Sequence, residues 1–537
     1  MIGADAIVKC LEEEGVEYVF GYPGVAICPF YNSILDSKIN TILVRTEQNA
    51  AHAASGLARV SGKVGVCAVT SGPGATNVLT GIATAFADSI PLICITGQVN
   101  SELLGSDVFQ EADITGAAES FVKYSYLVKD ANEIPRIMKE AFYIANSGRK
   151  GPILIDIPID VQNAAVKKFE YPEEVNLRTY KPTVKGHAVQ IKKVIGELSK
   201  AKRPIMCVGG GVLLSHAEGE LREFAQKHSI PVVSTMMGIG AMPTRHPMYY
   251  GMVGNNGKPY ANRAMNESDL LIMVGARVAD RAISQPDLIM ENKVLVHIDV
   301  DPAEIGKNVG AEIPLVGDAK HIFEDLDKED FNCGHKEWIE TLNKYRDTMT
   351  LKRTPNPEYV DPAEFIRILS EKMQDDAVYV ADVGQNQIWS CAYHIVKNGR
   401  FLTTGGMGTM GYSIPAAMGA KLACPDRQVV AVCGDGSFQM SMMELATMKQ
   451  FDVPVKIVVL KNNYLGMVRQ FQHFTYKDNY SVVDLSGSPD LEKLAMAYDM
   501  KFMRLYTMDK VEENIDRFLA ADESMLLECV IDPMDLV

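Results

Sequence analysis

Long apolar runs are missing from this chain: no stretch approaches the roughly 18 residues that a membrane-spanning helix needs. Also missing is any Lys/Arg-rich run with interleaved aromatics, and a formal net charge of −15 leaves no basic field for a phosphate backbone. Neither a membrane nor nucleic acid is an expected partner. The ten cysteines contain no CxxC pair and no metal-ligand spacing. Most lie inside apolar runs such as Val66-Cys67-Ala68 and Ile93-Cys94-Ile95. They read as reduced core residues of a cytosolic protein, so a cytoplasmic location is expected. No basic leader is visible either: Asp5 stands where a signal peptide would carry positive charge, and a helix-like pattern over residues 6–14 begins at once. What is present is 537 residues at 47% hydrophobic content, enough for several domains with a core each.

Short β-branched apolar runs alternate with Ala-rich amphipathic stretches, at residues 41–44, 64–69, 91–96 and 153–157, then again from 205 and from 429. Such alternation predicts βαβ units and parallel sheets. Two polar, proline-bearing segments interrupt it, residues 166–186 and 331–360, the second including a helix around 337–349. The expected organisation is three α/β domains, each a doubly wound parallel sheet, at 1–165, 187–330 and 361–537. The outer two share a faint repeat. "AASGLARVSGKVGVCAVTSGPGATN" and "PAAMGAKLACPDRQVVAVCGDGSFQ" each run small-residue helix, strand, glycine turn, with 16 residues from Gly56 to Gly72 and 15 from Gly419 to Gly434.

The most specific signal lies in the third segment. Gly434-Asp435-Gly436-Ser437 follows an apolar strand, and the next strand runs into Asn462-Asn463. A glycine turn at the carboxyl end of a parallel strand exposes N–H groups to an anion. Asp435 and a nearby Asn amide turn such a turn into an oxygen cage for a hard cation, and Mg²⁺ accepts a carboxylate, an amide or carbonyl oxygen, phosphate and water. The "GDG" triplet alone fits an ordinary type I turn. Together with the Asn pair and the preceding "GTMGYSIPAAMGAKLA", it resembles the diphosphate and Mg²⁺ motif of thiamine diphosphate enzymes. That resemblance implies Asp435, the Asn462 side chain and the Tyr464 carbonyl as metal ligands.

Glu47, in "TEQNAAH", follows a short strand and opens an Ala-rich helix. By itself it is a first-turn glutamate complementing the helix dipole. The cofactor chemistry supplies another role. The thiazolium C2 proton is too weakly acidic to leave unaided, and the aminopyrimidine removes it only as its imino tautomer. A carboxyl bonded to the pyrimidine ring nitrogen favours that tautomer.

Beyond these motifs, "FGYPG", "RTEQNAAHAASGLAR", "SGPGATN", "SDVFQEADI", "GDGSFQM", "NNYLGMVRQFQ" and "HIDVDPAEI" make nearly the whole chain similar to the acetolactate synthase (acetohydroxyacid synthase) family. This resemblance implies a thiamine diphosphate-binding fold, with pyrimidine and diphosphate domains flanking a nucleotide-binding-like middle domain. It implies decarboxylation of pyruvate and transfer of the two-carbon carbanion to a second 2-oxo acid, pyruvate or 2-oxobutyrate, in branched-chain amino acid synthesis. A related thiamine diphosphate decarboxylase, lyase or pyruvate oxidase is the alternative. It further implies a homo-oligomer, dimer or tetramer, in which Glu47 of one subunit meets the diphosphate domain of another, and leaves a small regulatory subunit open.

By the same resemblance Met410 supports the bent cofactor, Phe109 and Gln110 border the substrate, and Arg281 grips the carboxylate of the second oxo acid. Gly24, Val25, Ala26 and Gln385 lie near the cofactor. Pro73, Asn77, Asn386 and Gly408 are assigned to it too, as are Gly434, Gly436, Ser437 and Met467. In the middle segment, Gly209-Gly210-Gly211 after one strand and Asp299 at the end of another suit a nucleotide, although a glycine triplet equally makes a tight turn. The family carries FAD there, through residues matching Gly209, Arg277, Asp299 and Asp318, whereas related enzymes keep the domain without the flavin. Departures fall on the substrate and flavin sides. Family members usually have Gly at Val25, Lys at Ile159, His at Asn386, "MHG" at Asn255-Asn256-Gly257 and Trp at Phe471, and often continue past Met534 into an arm over the site.

Overall fold

The computed structural model describes residues 1–283, 292–329, 331, 334–350 and 353–537. The apolar runs become strands of three six-stranded parallel sheets, each flanked by helices. The first contains β1 (Tyr18–Tyr22), β2 (Asn40–Leu43), β3 (Gly65–Val69), β4 (Leu92–Gln98), β5 (Tyr124–Leu127) and β6 (Pro152–Pro158), in spatial order 2-1-3-4-6-5. The second contains β7 (Pro204–Val208), β8 (Val232–Ser234), β9 (Tyr249–Met252), β10 (Leu270–Val274), β11 (Val294–Asp299) and β12 (Ile313–Val316), in order 12-11-10-7-8-9. The third contains β13 (Val378–Ala381), β14 (Arg400–Leu402), β15 (Val429–Gly434), β16 (Lys456–Lys461), β17 (Lys501–Leu505) and β18 (Met525–Val530), in order 14-13-15-16-18-17.

Renumbered from its own first strand, the third sheet repeats the first strand for strand. The weak helix-strand-turn repeat in the sequence is thus the local trace of one topology used twice. In the middle sheet the strand order reverses between β7 and β10, a doubly wound arrangement whose switch point is where dinucleotides bind.

The two similar sheets share a core. Helix Glu47–Ser61 of the first lies against helix Ser413–Ala423 of the third, and residues of both enter one buried cluster with Ala50, Ala54, Tyr412, Ala416 and Ala420. Glycine makes the approach possible. A Cβ on Gly56 would collide with the Ala416 carbonyl, and one on Gly419 with the Ala53 carbonyl, so each helix presents its glycine to the other's backbone. Within the second interruption of the pattern, helix Lys336–Thr348 buries Trp338 and Leu342 in the same cluster as β7 and β10 residues of the middle sheet.

Candidate active site

Sheet register explains why Asp435 and Asn462 meet. In the β15–β16 ladder Gly434 pairs with Leu460, so the residues just beyond both strands emerge side by side at the carboxyl edge. Asp435 opens helix Asp435–Ser441, its Oδ2 accepting from Asn463 N at 2.7 Å and its Oδ1 from Gly436 N at 3.1 Å. The Asn462 Oδ1 accepts from Tyr464 N at 3.0 Å, and its Nδ2 donates to Gln385 Oε1 at 3.2 Å. A strap steadies this loop, since Tyr464 bridges Asp484 and Leu485 N donates to the Asn463 carbonyl at 2.8 Å.

Around these residues lies a cavity of about 80 Å³, whose wall includes Gln385, Asn386, Met410, Gly434, Gly436, Ser437 and Met467. A Cβ on Gly436 would stand 2.8 Å from Leu465 and 3.4 Å from Met410 Cε, so the bare turn keeps the cavity open. Burial pushes the Asp435 carboxyl up to about 6, although backbone N–H groups and Lys461 oppose the shift. Lys461 is itself drawn to Glu528 at 3.5 Å. A hard cation would supply the charge this carboxylate lacks, and the oxygen set of a carboxylate, an amide and a carbonyl fits Mg²⁺. Among the described residues no group of three or more His, Cys, Asp or Glu side chains could hold a metal.

The first sheet gathers a second cluster at the same edge. Glu47 follows β2, and its Oε2 accepts from Asn77 Nδ2 at 3.1 Å. The turn after β3 passes beneath it: Gly74 would place a Cβ 3.3 Å from Glu47 Oε1, and Gly24, after β1, packs on Thr70. Gly72, at φ 56°, lies under Gln110, whose own φ is 60°. Ala26 is buried, whereas Val25 is 76% and Phe109 87% exposed. Glu47 is absent from the walls of both cavities described here.

At the switch point of the middle sheet opens a cleft of about 790 Å³. Gly210, Gly211, Arg277, Arg281, Asp299 and Asp318 line it, and Gly209 packs against Gly275 and Ala276 just behind. Burial pushes the Asp299 carboxyl up to about 6, and Asp318 caps helix Ala319–Asp327 through Lys320 N at 3.0 Å. The first domain contributes Arg149 and Lys150, and the third contributes Met407, Gly408 and Met467. Gly408, assigned with Met410 to one cofactor, therefore faces this cleft, while Met467 borders both cavities.

Comparison with known proteins decides the family. The thiamine pyrophosphate enzyme N-terminal TPP binding domain matches residues 1–117, the central domain matches 191–326, and the C-terminal TPP binding domain matches 382–529. A probable acetolactate synthase large subunit of Methanocaldococcus jannaschii is 43% identical across 100% of this chain and 93% of its own length. The acetolactate synthase large subunit of Haemophilus influenzae is 42% identical across 100% and 95%, and the isozyme 3 large subunit of Escherichia coli 42% across 92% and 88%. The chain belongs to the acetolactate synthase large-subunit family. Membership makes it a thiamine diphosphate-dependent transferase of the acetolactate synthase type, and the fold is the three-domain arrangement of those enzymes.

One residue that sequence reading passed over matters to this acetolactate synthase family site. Asp382, just beyond β13, is fully buried and accepts from Val383 N at 2.8 Å, Gly411 N at 2.9 Å and Ser413 N at 2.7 Å. It pins the turn that carries Met410. Burial raises its carboxyl above the usual range against those three hydrogen bonds. A lone Asp after a strand carries no sequence signal for this, because its partners lie about thirty residues on.

Proposed function

We propose that this chain makes an acetohydroxy acid from pyruvate and a second 2-oxo acid at a site completed by two copies of the chain. The observation that carries the reading is that the wall of the cavity holding Asp435 and Asn462 does not include Glu47. Each chain has both halves, at the same edge of matched sheets, and a second copy would bring Glu47 to the cavity.

Bound thiamine diphosphate supplies the electron sink for loss of CO₂ from the donor oxo acid. Asp435, the Asn462 amide oxygen and the Tyr464 carbonyl would hold Mg²⁺ for its diphosphate, with Gly434, Gly436 and Ser437 forming the turn beside it. Met410, on the turn pinned by Asp382, would support the cofactor. Glu47, oriented by Asn77, keeps a proton at the pyrimidine ring nitrogen. Gln385 and Asn386 close the diphosphate side, and Gly24, Val25, Ala26 and Pro73 the pyrimidine side. Phe109 and Gln110 shield the reacting carbon from water. Arg281, exposed on the rim of the larger cleft, takes the acceptor carboxylate through its guanidinium fork.

The larger cleft suits FAD: glycines at the switch point, Arg277 beside them, and buried Asp299 at one strand end with half-buried Asp318 just past another, able to accept from hydroxyls. Because the relatives are named large subunits, a small regulatory subunit is part of the proposal, as is a cytoplasmic setting. Among the described residues no helix is long and apolar enough to cross a membrane.

Incubation of the purified protein with pyruvate, thiamine diphosphate and Mg²⁺ should yield acetolactate, and Glu47→Gln should lower kcat by about 10²–10⁴-fold. Acetaldehyde or acetyl phosphate in place of acetolactate would redirect the reading to a related decarboxylase or oxidase. A flavin band in the visible spectrum tests FAD independently.

A further inference from the structure

Glu444 opens the short helix Glu444–Gln450, two residues beyond the Asp435–Ser441 helix that begins at the metal-ligand turn. Its side chain is fully buried. A carboxylate so placed persists only where its oxygens are bonded, and here the bonds cross to the first domain. Oε1 accepts from Arg45 N at 2.9 Å and from Asn49 Nδ2 at 2.9 Å. Oε2 accepts from Thr447 Oγ1 at 2.6 Å, and the Thr447 hydroxyl also lies 3.3 Å from the Leu43 carbonyl. Gln450, a turn further on, accepts from Arg45 Nη2 at 2.7 Å.

Arg45 and Asn49 stand two residues before and two after Glu47. The helix they begin has no cap of its own, since the Thr46 side chain makes no capping bond. A helix start without a cap frays and leaves its first residues mobile. Glu444 holds both flanks of Glu47 from another domain, the Arg45 backbone through its N–H on one side and the Asn49 side chain through its amide on the other. General docking of the two domains is already provided by the reciprocal Gly56 and Gly419 contacts further along the same helix. The Glu444 bonds are not spread over that interface and converge on the flanks of the acid.

We propose that Glu444 is a positioning residue for Glu47. The helix that starts at Asp435 in the cavity is joined to the helix opened by Glu444 through only Met442 and Met443, so a short stretch of chain connects the diphosphate turn to the flanks of the acid. In an oligomer whose Glu47 serves the neighbouring copy's cofactor, Glu444 links the two sites to which one chain contributes. The proposal rests on the reading of Glu47 as the acid at the pyrimidine ring.

The test compares Glu444→Ala, Glu444→Gln, Asn49→Ala and Glu47→Gln in the holoenzyme, by the rate of hydrogen–deuterium exchange at C2 of bound thiamine diphosphate, and in the cofactor-free chain, by amide exchange. Misplacing a catalytic group by about 1 Å costs on the order of 10²-fold. Glu444→Ala should therefore slow C2 exchange by about 10–100-fold, with little change in KM for pyruvate. In the cofactor-free chain it should also speed amide exchange at Asn49 and Ala50, both of which bond to the Thr46 carbonyl. Glu444→Gln keeps an acceptor for both donors and should restore C2 exchange to near the unsubstituted rate. Asn49→Ala, which removes one donor and leaves Glu444 in place, should give a smaller slowing and stands in if Glu444→Ala does not fold. Normal C2 exchange in Glu444→Ala and Asn49→Ala, with Glu47→Gln slow, would overturn the role of Glu444 alone. Normal exchange in Glu47→Gln would overturn the reading of Glu47 beneath it.

Discussion

Gly419→Ala is the sharpest probe of the way the two similar domains are joined. In an isolated helix the change would stabilise, by about 1 kcal/mol, because alanine is the better helix former. Here the new methyl points at the Ala53 backbone, and a Cβ would meet its carbonyl oxygen, carbonyl carbon and Cα together. Backbone atoms cannot rotate away as a side chain can, so helices Glu47–Ser61 and Ser413–Ala423 must part. Overpacking of that kind costs about 1–3 kcal/mol, and more where the obstacle is rigid. Against a rigid backbone obstacle the upper end of about 3 kcal/mol applies, and the propensity gain of about 1 kcal/mol leaves a net loss of roughly 2 kcal/mol. At about 2–4 °C per kcal/mol for units of 150–250 residues, and less for a larger one, the calorimetric transition of the joined outer domains should fall by a few degrees. Gly56→Ala strains the same contact from the other side. Once one substitution has separated the helices the second should add less than its own cost, so the double variant is expected to be sub-additive. A Gly419→Ala protein as stable as the parent, or two fully additive losses, would refute the close-approach argument.

Asp382→Asn should weaken the Met410 turn, because an amide nitrogen turned toward Gly411 N or Ser413 N leaves two donors facing each other, at about 1–3 kcal/mol; a lower melting temperature and a weaker thiamine diphosphate Kd by calorimetry are the measurements. Gly436→Ala should leave melting nearly unchanged while abolishing most cofactor binding, since its methyl fills part of the 80 Å³ cavity. Asp156 offers a pH test. Burial pushes its carboxyl up to about 7, although Thr96 Oγ1 at 2.7 Å and Gln98 Nε2 at 2.9 Å donate to it. From about pH 4 to pH 7 the folded chain therefore holds a proton the unfolded chain has lost, and stability falls as pH rises through that window. Denaturation midpoints of the parent should drop from pH 5 to pH 7.5 relative to those of Asp156→Asn, which has no such proton; parallel profiles would contradict this.

Much of the fold was legible because apolar runs and small-residue helices are local signals. Strand 41–44 lies one residue from β2, and the helix expected around 337–349 is Lys336–Thr348. The glycine intervals of 16 and 15 residues were the visible part of a repeated sheet order. The site was legible where its chemistry sits on one short segment, as with Asp435 in its glycine turn. It was illegible where the partner is distant in sequence: nothing near Asp382 announces Gly411, and nothing near Glu444 announces Arg45, 399 residues away. Buried carboxylates of this kind are specified by packing between elements, which periodicity does not encode. That helix Lys336–Thr348 packs into the middle core was hidden for the same reason, since its charged composition suggested a connector while only Trp338 and Leu342 of its residues are buried there.

The matched order of the outer sheets makes their edge positions comparable one for one. Two copies of one topology within a chain place equivalent edge positions on two units, and different residues occupy those positions in each. The unit with the Gly72-Pro73-Gly74 turn has its carboxylate, Glu47, after its second strand, and the unit with Gly434-Asp435-Gly436 has one in the turn itself. With the two on separate units, a carboxylate and a metal turn can each be shaped by its own sheet.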